Sequence, residues 1–169
     1  MMIFSIILLT VSFLLQGVLS NFIGYTYQDV SIFSTIYVLV VLLLLYPHFE
    51  NKRKYLLLLV IFGWLMDVVY SNTLLLNISL FYLVYKFSNL FYSFFPYNLI
   101  TINVGNVLCI FIYHILSFIL LSLLRYDSYS VVMLFRILGC NIIMTSLYTT
   151  IIYILINFIK KRIELKEVK

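Results

Sequence analysis

Alanine is absent from this chain, and cysteine, proline and tryptophan are nearly so: two, two and one among 169 residues. The missing alanine, with the abundance of Ile, Leu, Tyr, Phe, Asn and Lys, is the bias that AT-rich bacterial genomes impose on codon choice. Both cysteines, Cys109 and Cys140, fall inside apolar blocks with no CxxC spacing and no metal ligands beside them. That excludes a zinc or disulfide framework and leaves them as small packing residues. Charge is scarce as well, with 11 basic and 6 acidic residues. The basic ones are confined to short segments flanking apolar blocks, so the net charge of +5 reads as a topology signal and not as a nucleic-acid surface. The chain has no GxSxG, no HExxH, no Walker-type glycine loop and no paired carboxylates on one helix. Asp29 and Asp67 could form an intramembrane aspartyl pair, but neither sits in a GxGD-like string. The expectation is therefore no enzyme, no cofactor and no metal.

What is present is apolar. Hydrophobic residues make up 64% of the chain and mean hydropathy is +1.13, in long blocks without alternation. This composition predicts an all-α, polytopic membrane helix bundle, because a spanning helix needs about 20 mostly apolar residues. Cutting at charged and turn-forming residues gives one transmembrane domain, 1–169, with about six transmembrane helices: Met2 to Phe22, Ser31 to Tyr46, Tyr55 to Tyr70, Leu74 to Phe91, Ile100 to Leu124 and Val131 to Phe158. The first lacks a basic leader and is too long for a secretory signal, so it reads as a retained helix. The third and fourth are separated at Ser71-Asn72-Thr73, whose short polar side chains suit a tight turn.

Lysine and arginine set the orientation. One side collects Lys52, Arg53, Lys54, Lys86 and the basic tail 159–169, and the other has only Arg125 and Arg136. Both termini are thus expected in the cytoplasm of a bacterial cell, with the protein multi-pass in the cell membrane. The tail is either a positive-inside anchor or a short amphipathic helix against anionic membrane lipid or a cytoplasmic partner. Every loop is short, so any activity must reside within the bundle or on its faces.

Asp67 is the one acidic residue deep inside an apolar run, roughly 18 Å from the cytoplasmic edge by helical rise. A carboxylate there marks an ion, a proton or a contact inside a bundle. Helical spacing puts Gly63, Asp67 and Tyr70 on one face, where the glycine admits a neighbouring helix. Depth favours Arg136 over Lys86 as the counter-charge of Asp67. The other reading is that Asp67 bonds hydroxyls and amides of adjacent helices while Arg136 reaches the outer surface. A secondary polar stripe on the fifth span holds Asn103, Asn106, Tyr113, His114 and Ser117, and one on the sixth holds Gly139, Ser146, Thr149, Thr150 and Tyr153. In lipid such stripes mean interhelical hydrogen bonds or, less often, a substrate cavity. His114 is the natural proton relay, though alone on its helix it reads more simply as packing.

The string Gly63-Trp64-Leu65-Met66-Asp67-Val68-Val69-Tyr70 resembles the Gly-x-x-x-Asp-hydrophobic-hydrophobic-Tyr/Phe signature in the third span of the bacterial rod shape-determining protein MreD family. Chain length, the Asp29-Val30 pair opening the second span and the basic second loop are similar too. The departures are Gln28 where proline is frequent, and Leu74-Leu75-Leu76 where the family commonly has a glycine. The resemblance implies a non-catalytic membrane subunit of the cell-elongation machinery that scaffolds or regulates peptidoglycan synthesis and cell shape. Its partners would be an MreC-like bitopic membrane protein, the elongasome glycosyltransferase and transpeptidase and, indirectly, MreB. Gly63, Asp67 and Tyr70 would form the structural core of the signature. The rival class is the substrate-binding membrane subunit of an energy-coupling factor vitamin transporter, which is similar in helix layout. Such subunits carry alanine-rich small-residue surfaces for the energising partner, and here the glycines are dispersed.

Overall fold

The structure, a computed structural model, describes residues 2–23, 35–49, 51–71, 73–123 and 131–167. Among these residues it is all helical. Helix α1 is Met2–Ile23; α2 is Tyr37–Leu45, prolonged by a 3-10 turn at Tyr46–His48; α3 is Lys52–Met66, prolonged by a π turn at Asp67–Ser71. Helices α4 (Leu76–Phe94), α5 (Leu99–Leu123) and α6 (Val131–Glu167) complete the bundle. The polar string after α1, with Asp29, and the loop with Arg125 lie outside the described residues.

Local chemistry explains where the helices stop. Pro47 cannot supply the N–H that would continue α2, so the chain tightens into the 3-10 turn and leaves it at an extended Phe49. Asn51 then caps α3, its side chain accepting from Arg53 N at 3.0 Å. Phe95 precedes Pro96, and the proline ring forces it out of the helical region to φ −120°, ψ 143°, which ends α4. Asn98 opens α5 in turn by accepting from Thr101 N at 2.8 Å.

Among the described residues, four stretches are long and apolar enough to cross a membrane: Met2–Leu19, Lys52–Ser71, Leu99–Leu123 and Leu134–Lys161. The other two helices differ from the sequence expectation in an instructive way. In the described part of the second span, expected over Ser31 to Tyr46, the α-helix is 9 residues long, and every one of them is buried. At 1.5 Å per residue this is about 14 Å, half a hydrocarbon core. Tyr37–Leu45 is apolar all round because it is enclosed on all sides, packed between α1, α6, α5 and α4. Helix α4 is long enough but carries Asn77, Lys86 and Asn89, and is not among the four. The basic tail is no separate helix: α6 runs on unbroken through Lys160, Lys161 and Arg162 to Glu167.

Outward-facing positions of the long helices carry exposed large apolar side chains, Ile3, Val11, Trp64, Leu83, Val132 and Ile143 among them. In lipid the transfer of such surface between helix and bilayer is nearly neutral, so cohesion rests on close packing and buried polar bonds.

Leu75, just before α4, stands at φ 63° and is the one described non-glycine residue with positive φ. Left-handed backbone costs an L-residue about 1–2 kcal/mol, and the Leu75 side chain is exposed, so it gains little from packing. This is the stretch where the resembling family commonly has glycine. Leu75→Gly is expected to raise stability by about 0.5–1 kcal/mol despite the larger side chain lost. Denaturant unfolding in detergent micelles checks it; a loss of stability would show that Leu75 packs on something.

Candidate functional site

The polar interior is built around the turn joining α3 to α4. The Asp67 side chain is wholly buried, and its Oδ1 accepts three bonds: from Thr73 Oγ1 at 2.7 Å, Asn77 N at 2.9 Å and Asn77 Nδ2 at 3.0 Å. The bond from Asn77 N makes Asp67 the cap of α4. Leu75, at the position before that helix, has no side chain to cap it, and the carboxylate arrives from the preceding helix instead. The positive end of the α4 dipole thus faces the negative charge, which is how a lone carboxylate is accommodated inside an apolar bundle.

Around this knot the bonds close on themselves. Asn77 Nδ2 also donates to Ser71 Oγ, Ser71 Oγ donates to Met66 O at 3.2 Å, and Thr73 N donates to Asp67 O at 3.3 Å. From α5, Tyr113 OH donates to Asn77 Oδ1, so the knot ties three helices. Asp67 Oδ2 has no hydrogen-bond partner among the described residues.

Asp67–Ser71 is a π turn, whose wider helix advances less per residue than an α-helix. It separates residues that α-helical spacing puts together. Gly63 and Asp67 face α4: a Cβ on Gly63 would stand 3.0 Å from Ile78 Cα, so the α3 and α4 backbones meet there. Tyr70 is turned to α1, where its hydroxyl donates to Phe13 O at 2.8 Å and its ring meets Phe13 edge-on at 5.0 Å. Gly17 lets the Tyr70 ring lie against α1, because a methyl group there would overlap the hydroxyl.

Arg136 is exposed on α6, and none of the hydrogen bonds to the Asp67 carboxylate comes from it. The packing gives the reason: α6 lies against α5 and α2, whereas α3 lies against α4. The bonds of Asp67 go to hydroxyl, amide and backbone groups of its own hairpin. Lys86 is exposed and sits over the Tyr82 ring at 5.6 Å.

The stripes on α5 and α6 meet each other. Asn103 Nδ2 donates to Thr150 Oγ1 at 3.2 Å, Ser146 Oγ donates to Asn103 Oδ1 at 3.3 Å, and Asn106 Nδ2 donates to Thr149 Oγ1 at 3.3 Å. His114 Nε2 lies 2.7 Å from Asn141 Nδ2. An amide nitrogen only donates, so Nε2 accepts and the ring is neutral with its proton on Nδ1. Asn141 Oδ1 accepts in turn from Thr35 Oγ1 at 3.1 Å, just ahead of α2. Asn77, Thr73, Thr35 and Asn141 are the members of these networks that spacing along single helices does not reveal. Asn77 had one usable signal: a short turn between antiparallel helices brings a residue ten positions on across from Asp67.

Apolar helices of membrane-crossing length, with their polar side chains bonded to one another inside, make this an integral membrane helix bundle. Compared with known proteins, the chain matches no family model, no curated protein and no solved structure.

Proposed function

We propose that this chain is a non-catalytic, multi-pass subunit of the bacterial cell membrane that acts in the cell-elongation machinery. It would scaffold or regulate peptidoglycan synthesis beside an MreC-like bitopic protein. The observation that carries this reading is that the octapeptide resembling the MreD signature is also the segment that builds the α3–α4 hairpin. Gly63 is the point of backbone approach, and Asp67 caps the returning helix. Signature residues with a structural duty suit a protein that works by presenting its faces to partners.

In this reading the bundle makes six crossings with both termini in the cytoplasm, α2 as an enclosed internal member and α4 with one face buried and one exposed. Support comes from the basic residues: Lys160, late in α6, acts electrostatically on His48, which stands just before Lys52, Arg53 and Lys54, so the cationic segments at the start of α3 and late in α6 gather at one end of the bundle.

Affinity purification of the tagged chain from its native host in mild detergent tests the proposal. The expected result is stoichiometric recovery of a bitopic, coiled-coil MreC-like protein, with cells losing rod shape on depletion of the chain. Nanomolar vitamin binding by the purified chain, with an ATPase pair recovered in place of the coiled-coil protein, would sink it in favour of the transporter class.

A further inference from the structure

Helix α3 opens with Lys52, Arg53 and Lys54, all exposed, and has no acidic residue in its first turn. Cations are disfavoured at that end of a helix, where the dipole is positive, so three in a row call for anions from elsewhere. Two lysines here are held in place by aromatic rings. Lys52 Nζ lies 5.8 Å from the centre of the Tyr46 ring and Lys86 Nζ 5.6 Å from that of Tyr82. Tyr85 joins the two, 5.0 Å from Tyr46 and 6.1 Å from Tyr82. Tyr46 is fixed by its hydroxyl, which donates to Asn89 Oδ1 at 2.9 Å. The result is an arc, Lys52–Tyr46–Tyr85–Tyr82–Lys86, with an ammonium group at each end.

Two further observations say what the arc faces. Lys52 is the first residue of one membrane-crossing stretch and Lys161 the last of another, so the Lys52 end of the arc stands where hydrocarbon gives way to headgroups, and the Tyr46–Asn89 bond brings the part of α4 one turn beyond Lys86 beside it. Lys160 belongs to the same end: the pKa of the half-buried His48 is lowered first by burial and second by Lys160.

We infer that Lys52 and Lys86, mounted at the two ends of the tyrosine arc, each take the phosphodiester headgroup of an anionic phospholipid. Tyr46 and Tyr82 supply the rings against which the ammonium groups rest, and the ammonium groups supply the charge. These sites are independent of the function proposed above.

Native mass spectrometry of the full chain in mild detergent tests it, with phosphatidylglycerol titrated against phosphatidylcholine. The expected result is preferential retention of phosphatidylglycerol. Lys52→Gln and Lys86→Gln should each weaken retention of one of two bound lipids about fivefold, and the double variant that of both. Both positions are exposed, and unchanged circular dichroism would show that the variants fold. Inorganic phosphate and glycerophosphate, added as competitors, distinguish the sources: failure of either to displace the lipid marks a lipid site, whereas displacement at equal concentration marks a site for free phosphate and overturns the proposal. So does equal loss from Lys161→Gln, an exposed cation off the arc, since that would mean diffuse charge only. Equal retention of the two lipids by the unaltered chain overturns it outright.

Discussion

Asp67→Ala is expected to lower the unfolding free energy by about 2–4 kcal/mol, the largest loss from any single truncation in the polar interior. Three donors lose their acceptor at once. The backbone N–H of Asn77, one of its two amide N–H groups and the Thr73 hydroxyl then lose their partner, while the other amide N–H keeps Ser71 Oγ. Individual hydrogen bonds in membrane proteins average about 0.6 kcal/mol, and orphaned buried donors cost about 1–3 kcal/mol each, which brackets the sum. Asp67→Asn tests the mechanism, because it keeps an oxygen acceptor at the same place and removes the charge. Its expected cost is about 1 kcal/mol, the loss of charge assistance and of the interaction with the α4 dipole. Denaturant unfolding in micelles reads both. An alanine variant no weaker than the asparagine variant would show that the capping geometry is not what Asp67 contributes.

Gly63→Val is the second large effect, about 2–3 kcal/mol, and it acts by a different route. A Cβ at this position would lie 3.0 Å from Ile78 Cα and 3.1 Å from Ile78 Cγ1. The side chain of Ile78 can turn aside, but its backbone moves only if α4 moves, and the Asp67 cap sits one residue earlier on that helix. The two helices separate and the cap is stretched with them. Gly139→Val is the matched control: nothing lies within 4 Å of a Cβ there, so the same substitution on α6 should be close to neutral. If the two glycines behaved alike, helix propensity and not close approach would explain the loss.

These effects depend on contacts that the sequence shows unevenly. The all-helical bundle is legible in the unbroken apolar blocks and the rarity of proline. The importance of Asp67 is legible because a lone carboxylate in an apolar run needs an explanation. Its partners are not, since helical periodicity relates residues along one helix and says nothing of what faces them across a turn. Asn77 is ordinary in sequence and becomes the main partner only once α4 folds back. The shared face of Gly63, Asp67 and Tyr70 fails for a local reason: periodicity assumes one helical pitch, and the π turn changes it between Asp67 and Ser71. The block around α2 misleads differently. A run of apolar residues signals burial without saying whether lipid or protein does the burying, and here the protein does.

That enclosure bears on how the molecule is made. A helix of 9 residues is too short to partition stably into a bilayer by itself, and α2 offers lipid no surface to hold it there. One of its walls is α6, which follows the other five helices in chain order. The earlier part of the chain must therefore wait, inserted but unfinished, until α6 has been made. Stopping translation before Val131 would leave the centre of the bundle without this wall, and biogenesis, unlike that of bundles closed pair by pair, has its decisive step at the docking of α6.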